Sequence, residues 1–249
     1  MRVARAVGIV LWPGGAIVTA LAVWAMRGIE LAGSTLAIPL GLARQLPAIG
    51  VVGLVVSAIG AFSLVKPHDM IPLRRTARAL LGASLYAVLI ALFVHIHFVL
   101  DRAGGAGYFR GAGAPTQRTG ERLVLLAVAA LIALLLRPSA RLLAGRCLVY
   151  RHGRADRQTI YAFIGALGLT AVGDLLVLAL PMLPEPTRAM PLLIAWTIIA
   201  AGSLFVTVGL WSICIDAVRV ARTILEPPPS LGAVVTAHSL DADRPRTSS

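Results

Sequence analysis

"ALLGASLYAVLIALFVHIHFVL", residues 79–100, contains no aspartate, glutamate, lysine or arginine. As an α-helix rising about 1.5 Å per residue it is about 33 Å long, enough to cross a hydrocarbon layer about 30 Å thick. The stretch therefore reads as a membrane span, and the rest of the chain must be read with it. Several further windows of similar length also lack charge. Across all 249 residues, 58% are hydrophobic, 14% are charged and the mean hydropathy is +0.85, where a soluble domain carries about 25% charged residues. No single soluble core absorbs so much apolar sequence, and the expected fold class is all-α, a polytopic transmembrane helical bundle of about six spans.

The spans are expected near 6–26, 48–65, 79–100, 122–145, 159–183 and 190–215. The fourth has the shortest apolar run. Leu123 to Leu136 gives only about 21 Å at 1.5 Å per residue, so the helix must continue into "RPSARLLAG" with Arg137 and Arg141 snorkelling toward headgroups and Pro138 free to kink it. In the first span, "LWPGG" places Pro13 before Gly14 and Gly15, a local packing kink whose freed carbonyls need partners on neighbouring helices. Arg2, Arg5 and the "ALA" at 20–22 resemble a signal peptide, but the apolar run continues to Met26, and cleavage is not expected.

A net charge of +12 would suggest nucleic acid in a soluble protein. Here the arginines sit in connectors between apolar runs, where they set orientation, and nucleic acid is set aside as a partner. With six spans and the N-terminus inside, the inner segments hold more than twice as many basic residues as the outer ones, which places both termini in the cytoplasm. Lys66 is the one lysine among 23 basic residues, a bias of GC-rich bacterial coding. The expected location is a bacterial inner membrane. Cys147 and Cys214 then lie toward the reducing side, and no disulfide is expected.

Residues 27–47 are polar at both ends and short between Glu30 and Arg44, which suggests an interfacial or re-entrant segment on the outer face. The next outer connector, from Asp101 to Glu121, is rich in glycine and reads as mobile. Its Gly105-Ala-Gly107 resembles a dinucleotide fingerprint only superficially, since no strand precedes it. After Leu225 the triple proline stops the last helix, and residues 226–249 are expected to form a disordered cytoplasmic tail. In the second span Gly50, Gly53, Ser57 and Gly60 align small side chains on one face, and Gly165, Gly168 and Ala171 repeat the pattern more loosely in the fifth. Both report close helix packing. No repeat relates the first three spans to the last three, so an inverted-repeat transporter is not indicated.

Chemistry in a membrane requires polar groups, and the embedded inventory reduces to His95, His97, Asp174 and Asp216. Asp216 pairs with Arg219 three positions on. His97 and Asp101, four apart, form an expected interfacial pair. His95 lies about 200° around the helix from His97 and needs a partner on another helix. Asp174 costs roughly 2.5–3.5 kcal/mol to bury and needs one too. Their depths, counted from the expected helix starts at 79 and 159, agree to within about 2 Å. His95 and Asp174 are thus the candidate buried polar pair.

Other chemistries fare poorly. Two histidines on one helix do not sandwich a haem, and Ser203 in "AAGSLF" lacks the surroundings of a protease nucleophile. Met26, Met182, Met190, His95 and His97 share the outer half and form a weak copper(I) set, against which stands methionine's ordinary use as a gap filler. No catalytic residue and no cofactor are expected. The sequence reads as an integral membrane protein acting as a non-catalytic subunit or accessory component, in contact with the lipid bilayer and with a membrane-protein partner or copies of itself. The alternatives are a small proton-coupled or solute transporter using Asp174 with His95, and outer-face copper handling.

Overall fold

The computed structural model describes residues 2–32, 40–65, 73–100, 115–145 and 158–225. Among these residues the chain is all-helical, with no strand. Its helices are α1 (Arg2–Ala32), α2 (Leu40–Ser63), α3 (Leu73–Val94), α4 (Pro115–Gly145), α5 (Gln158–Ala179) and α6 (Ala189–Leu225). A π-helical segment, His95–Leu100, continues α3, and two short 3-10 turns, Leu180–Met182 and Glu185–Thr187, join α5 to α6. All six helices are long and apolar enough to cross a membrane. The expected tail, the glycine-rich connector before Pro115, and Cys147 lie outside the described residues, and Cys214 is a free thiol.

The helices form a closed ring in sequence order. α1 packs on α2, α2 on α3, α3 on α4, α4 on α5 and α5 on α6, and α6 returns to α1. Contacts along each seam run in opposite directions. Gly8 meets Ser63 where Gly15 meets Gly53, and Gly209 meets Phe163 where Gly173 meets Ile199. Neighbours are therefore antiparallel, as expected of helices joined by short connectors. Two clusters of buried side chains flank the axis. One includes Met26, Leu54, Tyr86, Phe93 and Leu136; the other includes Ile17, Phe163, Leu167 and Leu210. Outward faces are apolar as well, as on α6, where Leu204, Phe205, Val208, Trp211 and Ile215 are exposed in one stripe. Such a surface is compatible with acyl chains, among which helix association would rest on close packing and interhelical hydrogen bonds.

The tightest packing is at the α1–α2 seam. A side chain at Gly15 would strike the backbone of Gly53 and Ser57, and one at Gly60 would strike Trp12 and the Gly8 carbonyl. Here the small face of α2 brings two backbones together, as its spacing suggests. In α5 the structure corrects the expectation. Gly165 and Gly168 have nothing within 4 Å of where a Cβ would stand, and the close approach to α6 is made instead by Gly173 against Ala195 and Ile199, and by Gly202 against Thr170.

Helix ends differ from expectation in a consistent way. α1 runs on to Ala32 and α2 begins at Leu40, so 27–32 and 40–47 are helix continuing into the spans. This replaces the interfacial or re-entrant segment over that part of 27–47. α3 starts six residues earlier than expected, with Arg74, Arg75 and Arg78 exposed on its first turns. α6 extends ten residues further, to Leu225. A hydropathy reading stops at the first charge, whereas a helix stops where its backbone loses partners. α4 does continue through Pro138 to Gly145. Arg137, however, donates to the Tyr161 hydroxyl and lies over the Tyr161 ring, 4.0 Å from its centroid.

Candidate functional site

On the axis of the ring lies a cavity of about 160 Å³ lined by side chains from all six helices. α1 supplies Trp12 through Arg27, α2 Leu54 and Ser57, and α3 Tyr86 through Phe93; the other half is walled mainly by Leu, Val, Ala and Phe of α4, α5 and α6. Most of this surface is hydrocarbon. Its few polar groups decide what it can hold.

One group of these is self-contained. Trp12 Nε1 donates to Tyr86 Oη at 2.9 Å, Ser57 Oγ donates to the Trp12 carbonyl at 2.6 Å, and the Ser57 and Tyr86 hydroxyls are 2.8 Å apart. With Ser57's proton directed at Trp12, Tyr86 is the donor to Ser57, so every hydroxyl and indole proton in the cluster has an acceptor. The cluster sits at Pro13, itself fully buried, where the helix loses a backbone donor. Thr19 is likewise occupied, its hydroxyl lying 3.2 Å from the Gly15 carbonyl and 3.0 Å from that of Gly50, and Thr170 donates to Ala166 at 3.0 Å.

The charged feature is at the other end. Arg27, the lining residue nearest the C-terminus of α1, sends Nη2 to Asp174 Oδ2 at 2.9 Å; the two side chains are only 8% and 3% exposed. α1 and α5 are not neighbours in the ring. The bridge therefore crosses the inside of the bundle, one helical turn beyond Thr170, and borders the cavity at that end. Two charges buried in hydrocarbon are costly unless paired, and here each supplies the other's counter-ion.

This overturns the expected pairing of His95 with Asp174. Asp174 is deeply buried and partnered, as a mid-span carboxylate requires, but its partner is Arg27. His95 instead turns outward at the start of the π-helical segment, where its Nε2 lies 3.3 Å from Glu121 Oε1 on α4, with the imidazole about half exposed. His97 is buried, its ring tilted against Phe93 with centroids 4.5 Å apart. Its expected partner Asp101 lies outside the described residues. Asp216 and Arg219 are 3.6 Å apart on α6 as the spacing suggests.

The weak copper set is dispersed among different surroundings. Met26 is packed in the core cluster of α1–α4, whereas Met182 and Met190 are 88% and 71% exposed at the α5–α6 connection. No group of three or more His, Cys, Asp or Glu side chains is placed to hold a metal among the described residues.

In the sequence Arg27 is the first residue after the apolar run ending at Met26 and so reads as an orientation charge, and Glu121, at the other side of such a boundary, reads as part of a connector. Ser57 was legible only as part of the small face of the second span and Trp12 only as a neighbour of the Pro13 kink, and Tyr86 carried no signal, so their joining in one hydrogen-bonded cluster was not legible. Compared with known protein families, characterised proteins and solved structures, the chain matches none, and its functional reading rests on the chamber, its closed polar cluster and the Arg27–Asp174 bridge.

Proposed function

We propose that this chain is a non-enzymatic multi-pass membrane protein that holds a small apolar molecule within its ring of helices, as a binding or accessory component of a bacterial inner membrane with both termini in the cytoplasm. The observation that carries the reading is the chamber itself, to which all six helices contribute. A bundle serving only as a scaffold is expected to fill its core to the density of other protein interiors. This core instead keeps a pocket of about 160 Å³ whose lining is almost wholly hydrocarbon, a surface that a small apolar molecule can cover. The size agrees, since an apolar cavity of about 150 Å³ takes a benzene ring.

Mass spectrometry of organic extracts from gently purified protein tests this, with Ala20→Phe, which fills the chamber from α1, as the control. The expected result is a small apolar molecule near stoichiometric amounts with the native chain and none with folded Ala20→Phe. No such molecule with the native chain, or equal amounts with both, overturns the reading.

The carrier reading keeps one specific support, now with different residues. The Arg27–Asp174 bridge crosses the inside of the ring, so a solute leaving by that end must displace it. In proteoliposomes, a carrier would lose substrate movement in Arg27→Gln/Asp174→Asn while the helical content stays native.

A further inference from the structure

Resting on the chamber reading above, we infer that the occupant is an uncharged, ring-sized molecule bearing a carbonyl or similar oxygen acceptor, seated with that oxygen toward Ser203 at the Arg27 end. Two independent observations fix the class. The first is the state of the lining hydroxyls. Ser57, Tyr86, Thr19 and Thr170 all have acceptors for their protons within the protein. Ser203 lines the same chamber. Its backbone carbonyl accepts from Thr207 at 3.0 Å, but its hydroxyl has no hydrogen-bond partner among the described residues. Among the lining hydroxyls, Ser203's is thus the one left able to donate to an acceptor that a ligand brings.

The second observation is charge. Arg27 is the one side chain with a formal charge among the described lining residues, and Asp174 already balances it at 2.9 Å. An anionic ligand would arrive as an additional, unmatched charge in a medium that solvates charge poorly, and a cation would find the carboxylate already engaged. A neutral oxygen avoids both difficulties. The place of that oxygen follows from register. Gly202 abuts Thr170 across the α5–α6 seam, and Thr170 is one turn, about 6 Å, from Asp174. Ser203 is thus at the end of the chamber bordered by the bridge, opposite in depth to the closed Trp12–Ser57–Tyr86 cluster.

Three probes of nearly equal size separate the possibilities: 4-fluoroacetophenone, with a neutral acceptor; 4-fluoroethylbenzene, with none; and 4-fluorobenzoate, an anion. Binding is read by fluorine NMR to the full chain in nanodiscs, and site binding is taken as the excess over Ala20→Phe nanodiscs, which removes partition into lipid. The ketone is expected to bind about 3- to 10-fold more tightly than ethylbenzene, the worth of one neutral hydrogen bond, and benzoate at least about tenfold more weakly than the ketone. In Ser203→Ala the ketone's advantage should vanish while ethylbenzene binds as before, which shows the chamber intact. Benzoate binding as tightly as the ketone overturns the inference, as does a ketone advantage that is absent or that survives in Ser203→Ala; in those cases the chamber still binds and the broader reading stands. Binding of no probe above the Ala20→Phe level removes the chamber reading, and this inference with it.

Discussion

Removing one half of the Arg27–Asp174 bridge should damage the protein far more than removing both. Charge centres about 3–4 Å apart at an effective dielectric constant near 20 attract by roughly 4–6 kcal/mol, and both side chains are more than nine-tenths buried. Asp174→Leu leaves a guanidinium in hydrocarbon, and Arg27→Leu leaves a carboxylate; each is expected to lower stability by about 3–5 kcal/mol. Arg27→Leu/Asp174→Leu removes both desolvation costs and fills the space with hydrocarbon, so it should fall within about 1 kcal/mol of the native chain or exceed it. The coupling energy is then at least about 5 kcal/mol, beyond the 0.5–3 kcal/mol usual for residues in contact. Equilibrium unfolding in mixed micelles titrated with denaturing detergent, followed by circular dichroism, gives the four free energies of the cycle. Additive losses would refute the argument, because they would mean that the two charges do not depend on each other.

The glycines give a second contrast in the same assay. Gly168→Ala, at a site with no neighbour within 4 Å, should raise stability by about 0.5–1 kcal/mol through helix propensity, whereas Gly53→Ala, against the backbone of α1, should lower it by about 1–3 kcal/mol. Ser57→Ala takes the donor from the Trp12 carbonyl and the acceptor from Tyr86, and an expected loss of about 1–3 kcal/mol is measured likewise. A reporter fused after Leu225 should read cytoplasmic and one inserted between Gly104 and Gly113 external, as the excess of arginine on the inner segments requires; opposite readings at both sites would reverse the assigned orientation.

Hydropathy made the six long apolar helices legible, because a helix able to cross a membrane has to be apolar along its length and charged connectors separate one such run from the next. The small face of α2 was legible for a similar reason, since only small residues allow two backbones to touch, but that α1 packs on it was not, and in α5 the same signal fell on glycines with no close neighbour. The polar pairing was not. Counting residues gave the depth of Asp174 and the need for a partner, but depth is one coordinate of two. The direction in which a side chain points around the bundle is set by which helices become neighbours, and no periodicity within one span encodes that. His95 matched Asp174 in depth and faced Glu121. Arg27 faced Asp174 from a position just past the residue where its apolar run ended. The π-helical turn at His95–Leu100 altered the facing of that segment further, and nothing in "HIHFVL" distinguishes it from ordinary α-helix.

The order of helices in the ring bears on how the chain is made. Every seam but one joins helices adjacent in sequence, so each new span can dock on the one synthesised just before it. The Arg27–Asp174 bridge spans 147 residues. At about 5–20 residues per second of synthesis, Arg27 waits roughly 7–30 s before its counter-ion emerges. In the membrane setting proposed above, hydrocarbon would not hold that charge unpaired during the interval, and the long arginine side chain would let α1 ride high, with the guanidinium among the headgroups. Arrival of α5 would then let α1 sink, and the ion pair would act as a latch on biogenesis, holding the first helix short of its final depth until the fifth is in place.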